Sequence, residues 1–310
     1  MKKYLLLLVG VACFSTENFA QVTARLSNGS SLGGNISYTS DAYYGDKGTY
    51  FADVNGDGKA DAIVVNNGGI VARLSDGNKF GGHVVMSDHG YYGDRGTYFA
   101  DVNGDGKADA IVVNNDKVVA RLSDGSKFGD HVILSDHAYY GDKGTYFADV
   151  NGDGKADAIV VNNDKVVARL SDGSKLGGHV ILSDHGYYGD KGTYFADVNG
   201  DGKADGIVVN NDKVVARLSD GSKLGGHVIL SDHAYYADRT MAFADVNGDG
   251  KADGIVVNND KVVARLSDGS KLGGHVILSN HAYYGTKGTM FADVNGDGKA
   301  DGIVVNESAN

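Results

Sequence analysis

Short apolar segments separated by polar, glycine-rich turns run along the chain from residue 22 onwards. In one representative stretch, Gly96–Val102, Ala110–Asn114, Val118–Ser123 and His131–Ser135 are each five to seven residues long and rich in Val, Ile and aromatic side chains. Clusters of Gly, Asn and Asp bound these segments, which is typical of β-strands joined by tight turns. No window has a convincing 3.6-residue period, so the pattern predicts an all-β protein.

The four-strand pattern recurs every 48 residues. The string DVNGDGKAD begins at Asp53 and ARLS begins at Ala24, and each is found five more times at intervals of 48 residues. Six repeats of four strands predict a β-propeller with six four-stranded blades, as a single domain over residues 21–310. The alternative, a straight β-solenoid, would leave both ends of the chain as open caps.

The two ends of the chain indicate how the ring closes. The first segments after residue 21 correspond to a third and a fourth strand, and the last ones correspond to a first and a second strand. Pairing of Val22–Ser27 with Ile303–Asn306 would join the two half-blades into a sixth blade without bare strand edges.

Residues 1–20 have the features of a secretory signal peptide. Lys2 and Lys3 precede an apolar run from Tyr4 to Phe14, and a small residue lies before a cleavage point after residue 20. The run is too short to span a bilayer and no other segment is long and apolar enough, so we expect a secreted or cell-surface protein without a membrane span. The alternatives are a buried N-terminal strand and a lipoprotein signal ending at Cys13, the single cysteine.

Composition and charge narrow the class of partner. The chain of 310 residues is 42% hydrophobic, which is enough for a core and argues against disorder. Its formal net charge of −11 argues against nucleic acid as the main partner, because phosphate binding needs a basic face. The sequence contains no Pro and no Trp, so Gly, Asn and Asp must form the turns and Tyr must supply any aromatic platform.

The loop after each predicted first strand has the oxygen pattern of a calcium-binding loop. In residues 53–61, Asp53, Asn55, Asp57 and Asp61 occupy positions 1, 3, 5 and 9, and Lys59 offers its backbone carbonyl at position 7. Hard oxygen ligands around a sharp glycine turn suit Ca²⁺ better than a softer metal. The alternative is an Asx-turn that happens to be acidic.

Charge supports the calcium interpretation. Six loops with three carboxylates each hold 18 of the 40 acidic residues, and a divalent ion would offset the repulsion within each loop. We therefore expect about six structural Ca²⁺ ions. The equivalent ligands in the other five loops are Asp101, Asn103, Asp105, Lys107, Asp109, Asp149, Asn151, Asp153, Lys155, Asp157, Asp197, Asn199, Asp201, Lys203, Asp205, Asp245, Asn247, Asp249, Lys251, Asp253, Asp293, Asn295, Asp297, Lys299 and Asp301.

These loops within a β-repeat resemble FG-GAP/VCBS repeats, which occur in integrin-type propellers and many secreted bacterial proteins. The longer string from Phe99 through Val113 to Gly141 is similar to calcium-containing lectins of the Psathyrella velutina lectin type. The resemblance implies a calcium-bearing propeller that binds sugars between adjacent blades. It also implies glycans or glycoconjugates of the N-acetylglucosamine, sialic acid or fucose type as partners.

The loop between each fourth strand and the next first strand combines aromatic and polar side chains, for example Asp136, His137, Tyr139 and Tyr140. A tyrosine ring can cover the C–H face of a pyranose while Asp and His bond its hydroxyl groups. The alternative is that the tyrosines fill gaps between blades and the histidine caps a strand. The other candidate sugar-binding residues are Asp88, His89, Tyr91, Tyr92, Asp184, His185, Tyr187, Tyr188, His233, Tyr235, Tyr236, His281, Tyr283 and Tyr284.

Two further repeated residues are interpreted as structural. His131 and its equivalents begin the predicted fourth strands, and no Cys is available to complete a zinc site. Arg121 and its equivalents lie in the middle of the third strand, where they would form charge pairs between blades.

The sequence as a whole favours a secreted, calcium-stabilised lectin with several weak sugar sites, whose avidity would rise through multivalency. An integrin-like propeller for protein adhesion is the alternative. An enzyme is disfavoured because one active site needs an asymmetric placement of acid, base or nucleophile, and the repeats are nearly identical.

Overall fold

The computed structural model describes residues 22–39 and 43–307 and confirms the predicted all-β fold. The predicted signal peptide, including Cys13, lies outside the described residues. The part of the chain that is described contains no helix with the length and apolar character needed to cross a membrane.

The strands alternate with tight turns in the order that the repeat predicts. In chain order they are β1 (Val22–Arg25), β2 (Ile36–Ser37), β3 (Gly48–Ala52), β4 (Asp61–Asn66), β5 (Gly69–Ser75), β6 (Phe80–Ser87), β7 (Gly96–Ala100), β8 (Asp109–Val113), β9 (Val118–Ser123), β10 (Phe128–Ser135), β11 (Gly144–Ala148), β12 (Asp157–Val161), β13 (Val166–Ser171), β14 (Leu176–Ser183), β15 (Gly192–Ala196), β16 (Asp205–Val209), β17 (Val214–Ser219), β18 (Leu224–Ser231), β19 (Thr240–Ala244), β20 (Asp253–Val257), β21 (Val262–Ser267), β22 (Leu272–Ser279), β23 (Gly288–Ala292) and β24 (Asp301–Val305).

Each blade is a four-stranded antiparallel meander. Blades 1 to 5 consist of β3–β6, β7–β10, β11–β14, β15–β18 and β19–β22. Blade 6 has the strand order β2-β1-β24-β23, in which Val22 pairs with Val305 and Arg25 with Gly302. The predicted closure of the ring by the two ends of the chain is therefore confirmed.

In blade 2, three of the four strands differ from their predicted bounds, and the second strand is Asp109–Val113 rather than Ala110–Asn114. The first strand of blade 2 ends at Ala100 rather than at residue 102, because Asp101 Oδ1 accepts a hydrogen bond from Asn103 N and starts the loop. The fourth strand begins at Phe128 rather than His131, with an irregularity in register between these two residues. A bulge of this kind is not visible as a period-two pattern in the sequence.

The hydrophobic core lies between neighbouring blades. One cluster combines Ile111, Val113 and Leu134 of blade 2 with Val160 and Val167 of blade 3, and all five side chains are buried. Both faces of each second strand are covered in this way, which explains why these strands are almost entirely apolar.

First strands lie nearest the propeller axis and fourth strands lie at the rim. The first strands of neighbouring blades contact one another, and the ring centroids of Tyr98 and Phe147 are 5.0 Å apart. On the outermost strand of blade 2, Ile133 is 57% exposed.

The antiparallel meander sorts the loops onto two faces of the ring. The loops from a fourth strand to the next first strand share one face with the hairpins between second and third strands, and we call it the tyrosine face. The aspartate loops and the turns between third and fourth strands share the opposite face, which we call the aspartate face.

Candidate functional site

Equivalent pockets open on the tyrosine face of blades 2, 3 and 4, where the loop entering a blade meets the outer strands of that blade. We call them outer pockets. Their volumes are about 550 Å³ in blade 2, about 350 Å³ in blade 3 and about 370 Å³ in blade 4. In blade 3 the lining residues are Ala138, Tyr139, Tyr140, Val160, Asn162, Lys165, Val167, His179 and Ile181.

The two tyrosines of each loop have different surroundings. Tyr139 is buried, its hydroxyl donates a 3.0 Å hydrogen bond to the carbonyl oxygen of Val167, and its ring stacks on His179 with centroids 5.7 Å apart. Burial raises the pKa of the Tyr139 hydroxyl, so it remains a neutral donor. The first tyrosine therefore belongs to the packing between blades as well as to the pocket wall.

The second tyrosine is presented to solvent. Tyr140 is 39% exposed, and the guanidinium carbon of Arg95 from the preceding blade lies 4.4 Å from its ring centroid. The same contact recurs around the ring and ends with Lys287 over Tyr44. These cation–π contacts hold the exposed rings in a defined orientation at the mouths of the pockets.

The histidine of the fourth strand lines the pocket, a role that was not predicted from the sequence. His131 and Ile133 are two residues apart on β10 and both line the blade 2 pocket. Burial lowers the pKa of His131, and the charges of Arg121 and Lys117 add to this effect, so the imidazole is neutral at pH 7. The alternation of side chains along a strand is the signal that could have placed His131 beside Ile133.

The predicted Asp-His pairs contribute little to the walls of the outer pockets. His137 Nδ1 lies 2.5 Å from Asp136 Oδ1, and both side chains are strongly exposed beside the blade 3 pocket without lining it. Asp184 and His185 have the same arrangement, whereas His89 does line the blade 2 pocket.

The arginine of the third strand differs from its interpretation as one half of a charge pair. Arg169 donates to Ser135 Oγ of blade 2 and to the carbonyl oxygens of Leu176 and Gly177, and its guanidinium lies over the ring of Tyr139. Its partners are thus a hydroxyl, two backbone carbonyls and an aromatic ring.

Backbone amides within each aspartate loop donate hydrogen bonds to the first aspartate of that loop and so hold its conformation. Asp53 Oδ1 accepts hydrogen bonds from the amides of Asn55, Gly56 and Asp57, and Asp53 Oδ2 accepts one from Gly58. Gly56 and Gly58 have φ values of 78° and 82°, a left-handed conformation that favours glycine.

The last aspartate of each loop is a buried connector. Asp61 is fully buried, its Oδ2 accepts a 3.1 Å hydrogen bond from Val54 N and its Oδ1 accepts a 2.8 Å bond from Ser75 N. Burial raises the pKa of Asp61 to about 7, and the nearby charges of Asp53 and Asp57 contribute to the rise. One carboxylate therefore joins the loop to the third strand.

Hydrogen bonds also join each aspartate loop to its neighbour. Ser75 Oγ donates to the carbonyl oxygen of Val294, and Ala60 N donates to that of Asp293, both in the loop of blade 6. The equivalents of the Ala60 bond connect all six loops into a closed ring on the aspartate face.

Replacing a buried aspartate should destabilise the protein strongly even without bound metal. In Asp157→Ala, the amides of Val150 and Ser171 would lose their buried acceptor, at a cost of about 1–3 kcal/mol for each amide. We expect thermal melts in chelator to show a Tm lower by about 5–10 °C. The control is Asp153→Ala in the same loop, whose carboxylate is partly exposed and bonds Lys155; an equal loss of Tm in both variants would contradict the connector role.

The donor set of each aspartate loop fits calcium by its chemistry. Asp53, Asn55, Asp57 and the Lys59 carbonyl offer only oxygen ligands, and Lys59 Nζ lies 3.2 Å from Asp57 Oδ2, where a cation is thus already accommodated. Within residues 22–39 and 43–307, no group of three or more His, Cys, Asp or Glu is close enough together to hold a metal ion. Binding would therefore require a rearrangement in which the carboxylates of a loop approach one another and Asp57 releases Lys59.

A family model for the FG-GAP-like repeat matches residues 53–112, 101–160, 149–209, 197–256 and 245–304. The chain belongs to the FG-GAP-like repeat family. Each matched FG-GAP-like unit starts with an aspartate loop and ends in the second strand of the next blade. One unit thus contains the tyrosine loop that leads into the outer pocket of that next blade.

Solved structures with the same fold include sugar- and nutrient-binding proteins. An Agrocybe aegerita lectin that recognises non-reducing terminal N-acetylglucosamine is 20% identical, with a TM-score of 0.63 over 92% of this chain and 84% of that chain. An auxiliary nutrient binding protein from Bacteroides thetaiotaomicron is 12% identical, with a TM-score of 0.50 over 91% of this chain and 76% of that chain.

A third similar structure, a Tc holotoxin pore of Photorhabdus luminescens, is 16% identical with a TM-score of 0.60; it is aligned over 82% of this chain but only 13% of the toxin chain. At these identities the likeness establishes the propeller fold alone. No curated protein matches the FG-GAP-like chain significantly.

Proposed function

We propose that the protein is an exported, calcium-stabilised lectin that binds glycans in its outer pockets. The observation that carries the proposal is the set of three equivalent pockets, each of which combines an exposed tyrosine ring with Asn, Lys and His side chains and an exposed Ile. Such a wall can cover the apolar face of a sugar and bond its hydroxyl groups. The similarity to a lectin and to a nutrient-binding protein supports binding rather than catalysis.

N-Acetylglucosamine is the first sugar to test, because the similar lectin recognises it. The exposed Ile181 provides an apolar contact in the blade 3 pocket, and Lys165 and Asn162 provide hydrogen-bond donors. The same residue types recur in blade 5 as Tyr236, Asn258, Lys261, His275 and Ile277, so we propose several weak sites in one chain.

Removal of the exposed tyrosines should weaken sugar binding strongly without unfolding the protein. We expect the variant with Tyr92, Tyr140, Tyr188 and Tyr236 replaced by Ala to bind N-acetylglucosamine at least about tenfold more weakly in calorimetry. Its Tm should fall by only a few degrees, because each replacement removes one exposed cation–π contact of about 0.5–1 kcal/mol.

The matched control is Tyr284→Ala in blade 6. In the 48-residue repeat Gln21 stands at the position of Lys165, and Asn35 faces Arg25 where His179 faces Arg169 in blade 3. Undiminished binding by the quadruple variant, or an equal loss of affinity in Tyr284→Ala, would contradict the assignment of the outer pockets as sugar sites. A glycan array on the wild-type protein would then identify the preferred sugar.

We also propose that calcium occupies the aspartate loops. Asp53, Asn55, Asp57, Asp61 and the carbonyl of Lys59 would hold the ion in blade 1, and their equivalents would hold it in the other blades. When bound, the ion would offset two of the three negative charges of its loop and strengthen the ring of loops on the aspartate face.

A protein-binding propeller is the second candidate, and the rim of the molecule favours it. Val85, Ile133, Ile181, Ile229 and Ile277 are all more than half exposed on the outermost strands. They give five blades one equivalent apolar contact each, which a protein that wraps around the rim could use. Binding of one stoichiometric protein that N-acetylglucosamine does not inhibit, and that is lost when these residues are replaced by Thr, would support this function instead.

A further inference from the structure

A second type of pocket adjoins the outer pocket of blade 4 on the side of the propeller axis. Its volume is about 490 Å³, and we call it the inner pocket. Its lining residues are Lys143, Tyr146, Tyr188, Gly189, Asp190, Gly192, Thr193 and Tyr194. Tyr188 lines the outer pocket of blade 4 as well, so one exposed aromatic side chain is the common wall of both pockets.

The inner pocket has the chemical character of a second sugar site. Tyr146 and Tyr194 from two neighbouring first strands provide aromatic surface, and Thr193 adds a hydroxyl group beside them. Asp190 Oδ2 accepts a 2.8 Å bond from Asn211 Nδ2, which fixes a carboxylate that has further lone pairs for ligand hydroxyls. Lys143 Nζ lies 4.6 Å from the ring centroid of Tyr188, so a cation stands at the boundary between the pockets.

We infer that an outer pocket and the adjoining inner pocket are two subsites for one oligosaccharide, which runs from the rim towards the propeller axis across the shared tyrosine. This inference rests on the proposed lectin function and makes it more specific. The ligand is then an oligosaccharide of at least two sugar units, and a monosaccharide fills only half of each site.

The six repeats differ in whether the first strand carries the tyrosine that lines an inner pocket. The tyrosine of a first strand lies directly over the glycine two residues before it, and a Cβ atom on Gly192 would be 2.7 Å from the Tyr194 ring. Blade 5 has Thr240 in place of this glycine and Ala242 in place of the tyrosine. Gain of the Cβ and loss of the ring are thus coupled, because both cannot occupy the same space.

Only some neighbouring blades can therefore form an inner pocket with two tyrosines. The three tyrosine pairs are Tyr50 with Tyr98, Tyr98 with Tyr146, and Tyr146 with Tyr194. They lie at the entrances to blades 2, 3 and 4, which are the blades with the three outer pockets described above. Met290 takes the tyrosine position in blade 6. The inference therefore predicts three two-subsite glycan sites per chain.

Chain-length dependence of affinity tests the two subsites. The probes are N-acetylglucosamine and its β-1,4-linked dimer and trimer, titrated calorimetrically into the full-length mature protein. Wild type should bind the trimer at least about tenfold more tightly than the monomer, which is more than the two- to threefold statistical gain of a longer chain with repeated ends. Tyr98→Ala combined with Tyr194→Ala removes one ring from all three pairs and should bring trimer affinity within about twofold of monomer affinity.

Two controls and one alternative variant accompany the test of the inner subsite. The double variant should still bind the monomer, because its outer pockets keep all their lining residues. Met290→Ala changes the same position in blade 6 and should keep the gain with chain length. Tyr98→Met with Tyr194→Met, which uses the residue of blade 6, replaces the alanine variant if that variant fails to fold.

Equal affinities of wild type for monomer, dimer and trimer would overturn the inner subsite and leave the lectin function intact. An unchanged gain with chain length in the double variant would also overturn it. Failure of all three sugars to bind would overturn the proposed function and this inference together.

Discussion

A chain that begins at Tyr43, and therefore lacks β1 and β2, is expected to lose its cooperative unfolding transition near the wild-type Tm. Without these strands the outer edge of β24 is bare, because Val22 to Arg25 form its antiparallel ladder. The fully buried Val22 and Ala24 and the ring of Tyr38 also leave the core between blades 6 and 1. Together these losses cost more than about 5 kcal/mol.

The reference for this truncation is the chain that begins at Gln21, and both proteins are compared by thermal melts and size-exclusion chromatography. We expect the truncated chain to aggregate or to melt more than about 10 °C lower. The edge of β24, which is normally paired inside a blade, would be exposed and could pair with another chain. A synthetic peptide of residues 22–39 should restore the transition by refilling blade 6. A truncated monomer that melts within a few degrees of the reference would contradict closure by the terminal strands.

Addition of 1 mM Ca²⁺ to the chelated protein is expected to raise the Tm by more than about 10 °C. At an affinity of about 0.1 mM, typical of extracellular calcium sites, each site would contribute about 1.4 kcal/mol, and six sites would contribute about 8 kcal/mol. The physical reason is that each ion binds a folded loop and reduces the mutual repulsion of its three carboxylates. Mg²⁺ at the same concentration should have a much smaller effect because it loses its water shell reluctantly.

The matched variant replaces Asp57, Asp105, Asp153, Asp201, Asp249 and Asp297 by Asn. These side chains are partly exposed, and each lies beside the lysine two residues later. The variant should melt near the wild-type temperature in chelator and should show little response to Ca²⁺. Identical wild-type melts with Ca²⁺ and with chelator would contradict the calcium proposal, and calorimetry that finds far fewer than six ions would contradict the equivalence of the loops.

The repeat made the blades predictable, while single-residue roles within a blade were harder to derive. The string around Asp53 recurs at the blade period, and it marks the turn after a first strand in every copy. The sequence could not separate Tyr139 from Tyr140, which are adjacent and identical in type. Packing separates them: one ring is covered by the neighbouring blade, whereas the other faces solvent under Arg95.

The pocket wall was predicted only where it lies on the tyrosine loop. His179, Lys165 and Ile181 come from a strand and a hairpin that are tens of residues away from Tyr140 in sequence, and only the fold brings them to the same cavity. Arg169 was interpreted as a charged partner, but its donors reach a serine and two carbonyl groups, which leave no trace in sequence spacing. The buried connector role of Asp61 depends likewise on Ser75, a partner on another strand.

By itself the sequence determined the all-β class, the six blades, the pairing of the two chain ends and the position of every aspartate loop. These features follow from local patterns within a repeat and from the unbroken 48-residue period between repeats. The tertiary structure decided which tyrosine is core and which is surface, which side chains share a pocket, and that inner and outer pockets meet at Tyr188. Those outcomes depend on contacts between neighbouring blades, and no pattern within one repeat specifies how two blades face each other.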